Sequence, residues 1–309
     1  MSIPERSFVS HAKVMITGEY LVLKGSRSLA LPLRFKQKLR VLETDGKPRF
    51  IWISNVNNSL WFKTTMLLPD FNIIETNIPE VSITLRNILV AAKKLNPLFL
   101  GTGNQNKVIS EMDFDPAWGI GSSSSLVSNI AYWADCDPFQ LNKHVFNGSG
   151  YDIACARASA PIIYELKNDQ PVLREADFHP TFHHQLYFVY LNRKQSSRES
   201  IRLLDQGSIK TDDMLAVSEL TDHFEKATDL IKFQSLMDQH EEIIAGILGA
   251  QPVKKRLFQD FEGSVKSLGA WGGDFILVAS SSSEKYVRDY FKSKKMTLIF
   301  RYNELVLNT

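Results

Sequence analysis

The chain has 309 residues, which is enough for about two domains and a sizeable hydrophobic core. Hydrophobic residues make up 44% and charged residues 23%, values that exclude a disordered or collagen-like chain. The net charge is only +2, so no strong overall field attracts nucleic acid or an anionic membrane. We therefore expect neither of these as a partner.

Cysteine usage and the length of apolar runs set further limits. Cys136 and Cys155 form neither a CxxC pair nor a disulfide framework, a pattern that fits a reducing compartment. The longest apolar stretches, near residues 243–250 and 275–279, are much shorter than the ~20 residues of a membrane span. Residues 1–6 lack an apolar signal region. These features predict a cytoplasmic protein.

Strands dominate the first part of the predicted element order. Runs of β-branched and aromatic residues predict strands over residues 7–17, 29–43, 49–56, 60–66 and 107–112, with a helix after Pro79. Later patterns predict strands at 185–191 and 273–280, and helices near 211–231, 233–248 and after the serines at 280–283. Strands and helices do not alternate regularly, which indicates an α+β fold. A polar turn near 168–171 predicts domains of residues 1–170 and 171–309.

The strongest signal for chemistry is the segment 119–125, Gly-Ile-Gly-Ser-Ser-Ser-Ser, which opens directly into an apolar run. Small residues let the backbone approach a ligand, and N–H groups at a helix N-terminus form a nest for phosphate. Serine hydroxyls there can hold the Mg²⁺ that accompanies nucleotide phosphates. The alternative is a plain serine cap after a glycine turn, as expected for serines 280–283. No GxxxxGK[ST] motif occurs, so the chain is not a P-loop kinase.

Three further segments carry weaker signals. Lys13 lies on a predicted strand ahead of the Gly-Glu-Tyr of residues 18–20, although a lysine there could equally be a solvated residue. Asp152 follows the Gly-Ser-Gly-Tyr of residues 148–151, where a carboxylate also stabilises a helix dipole. The segment 269–274, Gly-Ala-Trp-Gly-Gly-Asp, precedes a buried-looking strand, and by itself it indicates only a turn.

Together and in this order, the four segments resemble the motifs of the GHMP small-molecule kinases, most closely those of the phosphomevalonate and mevalonate kinases. The resemblance spans both halves of the chain. It implies an α+β, two-domain fold, with an N-terminal ATP-binding domain like domain 2 of ribosomal protein S5 and a ferredoxin-like C-terminal domain. It also implies ATP and Mg²⁺ as cofactors and a small molecule as the substrate.

The resemblance also implies roles for individual residues. Lys13 and Asp152 match the catalytic residues, with Asp152 placed to take or polarise the proton of the acceptor. Ser123 matches the family's Mg²⁺-binding serine. The nucleotide is expected at Gly119, Gly121, Ser122, Ser123 and Ser124. The substrate is expected at Glu19, Tyr20, Lys194, Ser197, Gly272 and Gly273, although the basic segment 192–198 reads equally well as a loop after a strand.

The sequence departs from the family pattern in places that bear on the substrate. Residues 116–118, Pro-Ala-Trp, stand where phosphomevalonate kinases carry a lysine, and Trp271 replaces a small residue. Residues 139–144 contain no acid where mevalonate kinases carry a Mg²⁺-binding glutamate. We expect phosphomevalonate as the acceptor. Mevalonate, a sugar or homoserine are the alternative acceptors, and a non-catalytic regulator that binds nucleotide or metabolite is a further alternative.

Overall fold

The computed structural model describes residues 5–45, 49–101, 104–193, 209–271 and 273–307. Lys194, Ser197 and Gly272, which the sequence places at the substrate, lie outside the described residues. The helices and strands of the described part are β1 (Glu5–Met15), β2 (Ser28–Asp45), β3 (Arg49–Val56), β4 (Ser59–Leu67), β5 (Asn72–Thr76), α1 (Pro79–Leu95), β6 (Asn104–Met112), α2 (Ser122–Trp133), α3 (Pro138–Phe146), α4 (Tyr151–Cys155), β7 (Ile162–Lys167), β8 (Gln170–Glu175), β9 (Leu186–Tyr190), α5 (Thr211–Glu225), α6 (Leu230–Leu248), α7 (Val253–Leu257), β10 (Ser264–Ser267), β11 (Phe275–Ala279), α8 (Glu284–Ser293), β12 (Ile299–Arg301) and α9 (Tyr302–Leu305). Across this part of the chain, no helix combines the length and the apolar character that a membrane crossing requires.

Local signals in the sequence locate many of these elements. Helix α1 begins at Pro79, where the missing N–H of proline costs nothing at a first helical position. The predicted serine cap is confirmed, because the Ser283 side chain accepts a hydrogen bond from the N–H of Tyr286 at the start of α8. The helix predicted over 211–231 ends earlier, at Glu225, because Asp229 caps a new helix, α6. The mixture of elements confirms the predicted α+β class.

The chain packs as two compact units that interleave along the sequence. Unit 1 comprises the described residues of Met1–Ala12, Phe35–Pro116 and Gly121–Arg157, and unit 2 those of Lys13–Arg34, Ala117–Ile120 and Ala158–Thr309. The turn at residues 168–169 connects the paired strands β7 and β8. The domain boundary expected between residues 170 and 171 remains a prediction.

Unit 1 is built on a mixed sheet. From Gln37 onward, β2 pairs antiparallel with β6, and β6 pairs parallel with β3. Strand β3 then pairs antiparallel with β4, and β4 with β5. Buried side chains of the sheet, such as Phe50 and Trp52, form one hydrophobic core with residues of α1, α2 and α3. This core holds the serine-rich start of α2 close to the sheet.

Unit 2 contains a second, antiparallel sheet with the strand order β10-β11-β9-β12. If these four strands are numbered 1 to 4 along the chain, from β9 to β12, their order in the sheet is 4-1-3-2 when read from the edge strand β12. Helices α5, α6 and α7 connect β9 to β10, and α8 connects β11 to β12. This is the βαββαβ arrangement of ferredoxin-like domains, so the predicted architecture of the C-terminal part is confirmed. Its core contains Val189, Phe258, Val278 and Phe291.

Candidate functional site

Residues 121–125 of the glycine-serine segment belong to unit 1 and form the N-terminus of α2. Gly121 precedes the helix with a left-handed backbone, φ 101°. Ser123 is exposed in the first turn, whereas Ser124 is buried and its hydroxyl donates to the Gly121 carbonyl at 2.9 Å. The first amide N–H groups of a helix have no intrahelical acceptor. The segment therefore offers backbone donors and the Ser123 hydroxyl to an anion or its counter-ion.

A buried network of neutral polar side chains holds this helix start on the sheet. The Ser125 hydroxyl donates to Gln37 Oε1 at 2.7 Å, and Gln37 Nε2 donates to the Ser110 hydroxyl at 2.8 Å. Asn129 Nδ2 donates to the Gln37 backbone carbonyl at 2.9 Å. All four residues are buried. The sequence analysis did not identify Gln37 or Asn129, and their only sequence signal is a polar residue inside an apolar pattern.

Asp152 also lies in unit 1, in the first turn of α4. Gly150 precedes this short helix with φ 89°, and Asp152 Oδ1 accepts a hydrogen bond from the Ile153 N–H at 3.1 Å. The Asp152 side chain is half-buried, and α4 packs against α2. The structure thus places the expected catalytic carboxylate in the same unit as residues 121–124 of the expected nucleotide segment, whereas Gly119 belongs to unit 2.

In unit 2, Lys13 lies beside the beginning of the glycine-serine segment. Its backbone N–H donates to the carbonyl of Ile120 at 2.8 Å, and its side chain is half-buried. Strand β1 therefore contacts Ile120 directly. The first and second sequence motifs, which are about a hundred residues apart, meet through this hydrogen bond.

The third motif meets the second at Gly119. Gly119 has φ 72°, and a Cβ atom there would lie 2.2 Å from the carboxyl carbon of Asp274. Asp274 is itself buried with φ 56°, and its N–H donates to the Arg193 carbonyl at 2.6 Å. Gly273, which the sequence places at the substrate, is the buried neighbour of Asp274. Only glycine fits position 119 without moving the Asp274 carboxylate.

The turn at residues 18–20 meets the third motif at a second point. The Tyr20 hydroxyl accepts a hydrogen bond from the backbone N–H of Trp271 at 3.1 Å. The Gly18 N–H donates to His240 Nε2 at 3.0 Å, and a Cβ on Gly18 would lie 2.6 Å from the Ser28 Cβ. Within unit 2, the structure therefore brings together Lys13, Glu19, Tyr20, Gly119 and Gly273.

Glu19 belongs to a cluster of ionisable side chains that are almost completely buried. Lys266 Nζ donates to Glu19 Oε1 at 2.5 Å, and His240 Nε2 lies 3.3 Å from Oε2. Burial raises the pKa of Glu19 to about 7, against the opposing charge of Lys266. Burial, followed by the charge of Lys266, keeps the pKa of His240 well below its usual range. The imidazole is therefore neutral. Because its Nε2 accepts a hydrogen bond from the Gly18 N–H, the ring proton is assigned to Nδ1.

Neither Lys266 nor His240 was identified from the sequence. Lys266 lies in a strand whose four residues are all buried, and a single lysine in a strand ordinarily indicates a solvated face. His240 lies on α6 within the polar run of residues 238–242, where a histidine gives no sign of being buried. Their roles become visible only when the turn at 18–20 and the strand β10 are placed together.

Comparison with known proteins agrees with the resemblance seen in the motifs. No protein-family model and no curated protein sequence matches the chain. A phosphomevalonate kinase from Streptococcus pneumoniae, in complex with phosphomevalonate and AMPPNP, matches with a TM-score of 0.71 at 15% identity, over 96% of this chain and 99% of that chain. A mevalonate kinase from L. major, in complex with R-mevalonate, matches with 0.68 at 17% identity, over 97% and 96%. A D-glycero-D-manno-heptose 1-phosphate kinase from Bacteriodes thetaiotaomicron matches with 0.66 at 12% identity, over 98% and 96%.

These matches cover nearly the whole of each chain, so they establish the fold. The chain has the fold of the GHMP small-molecule kinases, and the predicted fold is confirmed. The three neighbours act on different small molecules, so the likeness itself does not select one of them as the substrate.

The contact between Gly119 and Asp274 generates a stability prediction. Gly119→Ala would push a methyl group into the Asp274 carboxylate and place alanine at a positive φ. We expect a loss of roughly 1–3 kcal/mol in the free energy of unfolding, measured by urea denaturation.

Gly246→Ala is the matched control, because a Cβ there meets no atom within 4 Å and the residue lies in α6. It should leave stability unchanged or raise it slightly. In an Asp274→Gly background, Gly119→Ala should cost less than in wild type, because the carboxylate is absent and glycine accepts the φ of 56°. Equal stability of the two single alanine variants would contradict the contact.

The raised pKa of Glu19 generates a pH prediction. The folded state holds the Glu19 proton up to a pH of about 7, whereas the unfolded chain releases it near the usual value of 4.5. The resulting stability is present below the unfolded pKa and is lost as the pH rises through the folded one. In Glu19→Gln, this decline should be absent.

The measurement is urea unfolding of wild type and Glu19→Gln at pH values from 4.5 to 8. The stability advantage of wild type should shrink as the pH rises, by on the order of 3 kcal/mol. Lys266, His240 and Glu241 also face Glu19, and they are present in both proteins, so their own titration largely cancels. A constant difference between the two proteins would show that the Glu19 pKa is not raised.

Proposed function

We propose that the chain is an ATP- and Mg²⁺-dependent small-molecule kinase that phosphorylates phosphomevalonate. The observation that supports this most directly is the meeting of three glycine-containing segments in unit 2. Residues 119–120 contact both the Lys13 backbone and Asp274, and the turn at 18–20 contacts Trp271. Glycines that admit the backbone to a ligand, together with a lysine, are what a site for phosphoryl groups requires.

The start of α2 is proposed to hold the nucleotide phosphates. Gly119, Gly121, Ser122, Ser123 and Ser124 would present backbone N–H groups and hydroxyls to them. Mg²⁺, when bound, neutralises charge on the phosphoryl group during transfer. It usually keeps phosphate and water ligands and needs only one or two from the protein, and an exposed hydroxyl such as that of Ser123 fits this donor set.

Lys13 and Asp152 are proposed to act on the reacting groups. Phosphoryl transfer needs in-line positioning and charge neutralisation more than covalent chemistry by the protein. The Lys13 ammonium, at the end of a hydrogen-bonded strand, would stabilise negative charge that develops during transfer. The Asp152 carboxylate would accept or polarise the acceptor proton.

The motifs favour phosphomevalonate as the acceptor. Residues 18–20, 148–152 and 272–274 match phosphomevalonate kinases more closely than mevalonate kinases. In the S. pneumoniae structure, the phosphomevalonate kinase is bound to phosphomevalonate and AMPPNP, and that protein shares the fold over 96% of this chain.

One observation favours mevalonate as a second candidate. The segment 116–118 carries no cation where phosphomevalonate kinases have a lysine. The Trp118 ring packs edge-on against Phe275 and Phe300, and the Ala117 carbonyl accepts from the Tyr190 hydroxyl. Packing of this kind supplies no charge to bind the phosphate of phosphomevalonate, whereas mevalonate does not need one there.

The deciding experiment is coupled ADP release with phosphomevalonate, mevalonate, homoserine and a hexose as acceptors. Turnover of phosphomevalonate alone supports the proposal. Turnover of mevalonate alone moves the assignment to the second candidate. Binding of ATP without turnover of any acceptor indicates a non-catalytic regulator and overturns the proposed activity.

The role of Lys13 generates a kinetic prediction. Lys13→Met should lower kcat by roughly tenfold or more and change the KM for ATP much less, since the lost charge acts in the transition state. Lys24→Met is the matched control, because Lys24 is an exposed lysine of the same unit. If Lys13→Met weakens only ATP binding, Lys13 is a ground-state anchor and the assignment is wrong.

The role of Asp152 distinguishes the two acceptors. A mevalonate hydroxyl needs a base, whereas a phosphomonoester, with a second pKa of about 6, is already largely ionised at pH 7. Asp152→Asn should therefore cost on the order of 10²-fold in kcat with mevalonate and less with phosphomevalonate. Asp135→Asn, an exposed aspartate of the same unit, is the control. A large loss with phosphomevalonate would contradict this division of roles.

A further inference from the structure

The turn at residues 18–20 has a strained backbone. Tyr20 has φ 66° and ψ −44°, and the Leu21 N–H donates to the Glu19 carbonyl at 2.8 Å. A hydrogen bond from residue i+2 to residue i around a central residue of positive φ defines the rarer form of γ-turn, which is sterically unfavourable. Tyrosine is not a residue that adopts this conformation without external support.

Three hydrogen bonds from separate elements hold this turn. The Gly18 N–H donates to His240 of α6, and the Glu19 carboxylate accepts from Lys266 of β10. The Tyr20 hydroxyl accepts from the Trp271 N–H. Each residue of the turn therefore has its own anchor, and the anchors lie on an α-helix, a β-strand and the glycine-rich segment of the third motif.

Holding a turn with a buried ion pair carries a large desolvation cost. Lys266 has no exposed surface and Glu19 is 2% exposed, so both charges have lost their water. Apolar residues of similar volume often stabilise a core at least as well as a buried pair does. The pair does, however, impose a fixed direction and distance, since Lys266 also donates to the Ser267 carbonyl at 2.9 Å. The ion pair therefore fixes the position of the turn.

Placement of the turn affects both motifs that adjoin it. Lys13, at the end of β1, lies five residues before Gly18. Trp271, bonded to the Tyr20 hydroxyl, lies three residues before Asp274, whose carboxylate contacts Gly119. A strained backbone that is held on every side is typical of functional sites, where it keeps reacting groups in a fixed geometry.

We infer that Lys266 is a positioning residue that acts through the strained turn at Tyr20. It holds Lys13 and the segment around Trp271 in the geometry that phosphoryl transfer requires. The kinetic part of this inference rests on the proposed function, and the conformational part does not.

The test removes both buried charges together, in Glu19→Gln/Lys266→Met, so that no uncompensated charge remains. The matched control is Glu225→Gln/Arg174→Met, which removes another ion pair of unit 2 that has a buried carboxylate. Hydrogen exchange of peptides covering residues 18–24 and 269–271, urea unfolding, kcat and the KM for ATP are measured for both variants.

Exchange at residues 18–24 should rise on the order of tenfold in Glu19→Gln/Lys266→Met and stay at the wild-type rate in the control. The kcat, corrected for the folded fraction that urea unfolding gives, should fall roughly tenfold with less than about a threefold change in the KM for ATP. Unchanged exchange in the folded variant overturns the inference, and so does a kcat equal to that of the control.

Tyr20→Phe carries the test if the double variant does not fold, because it removes only the hydroxyl that accepts from Trp271. Exchange at residues 269–271 should then rise and kcat should fall, and unchanged values of both overturn the inference. If wild type turns over no acceptor, the proposed function fails by itself. The exchange comparison then still decides whether the pairing of Lys266 with Glu19 holds the turn.

Discussion

Unit 2 depends on one buried ion pair, between Lys266 and Glu19. Removing two charges from water is tolerated only when the remaining lone pairs and protons also find partners. The strand β10 provides for Lys266, because the Ser267 carbonyl accepts from its ammonium. Glu19 Oε2, in contrast, is buried without a hydrogen-bond partner among the described residues. If the two side chains separated, each would leave an uncompensated charge in the core. The turn at 18–20, which carries Glu19, therefore has little freedom to adopt a different conformation.

The two units use different means to fix their glycine-rich segments. In unit 1, neutral side chains around Gln37 anchor the start of α2 by hydrogen bonds. In unit 2, charged side chains anchor the turn that contacts Trp271. Both arrangements keep their segments in place before any ligand binds, which is what the proposed phosphoryl transfer would require.

The sequence predicts features that depend on neighbouring residues and misses those that depend on distant ones. The bounds of β3, the start of α1 at Pro79 and the cap at Ser283 follow from local pattern and composition. The motifs themselves were visible for the same reason. The pairing of Lys266 with Glu19 joins residues 247 positions apart and leaves no periodic trace, so the sequence indicated Glu19 as a substrate contact and gave no sign of its buried partner.

The buried polar network around Gln37, which anchors the start of α2, limits which substitutions this sequence can accept. The Gln37 side chain bonds the hydroxyls of Ser110 and Ser125. The Ser125 hydroxyl also donates to the Ser122 carbonyl at 3.2 Å, so an apolar residue at position 37 affects Ser110 most. An apolar residue at position 37 alone would leave the buried Ser110 hydroxyl without this partner, which costs stability. Among homologues, strands β2 and β6 should therefore diverge in correlated steps, and residues 37 and 110 should co-vary even where the serine-rich segment itself is retained.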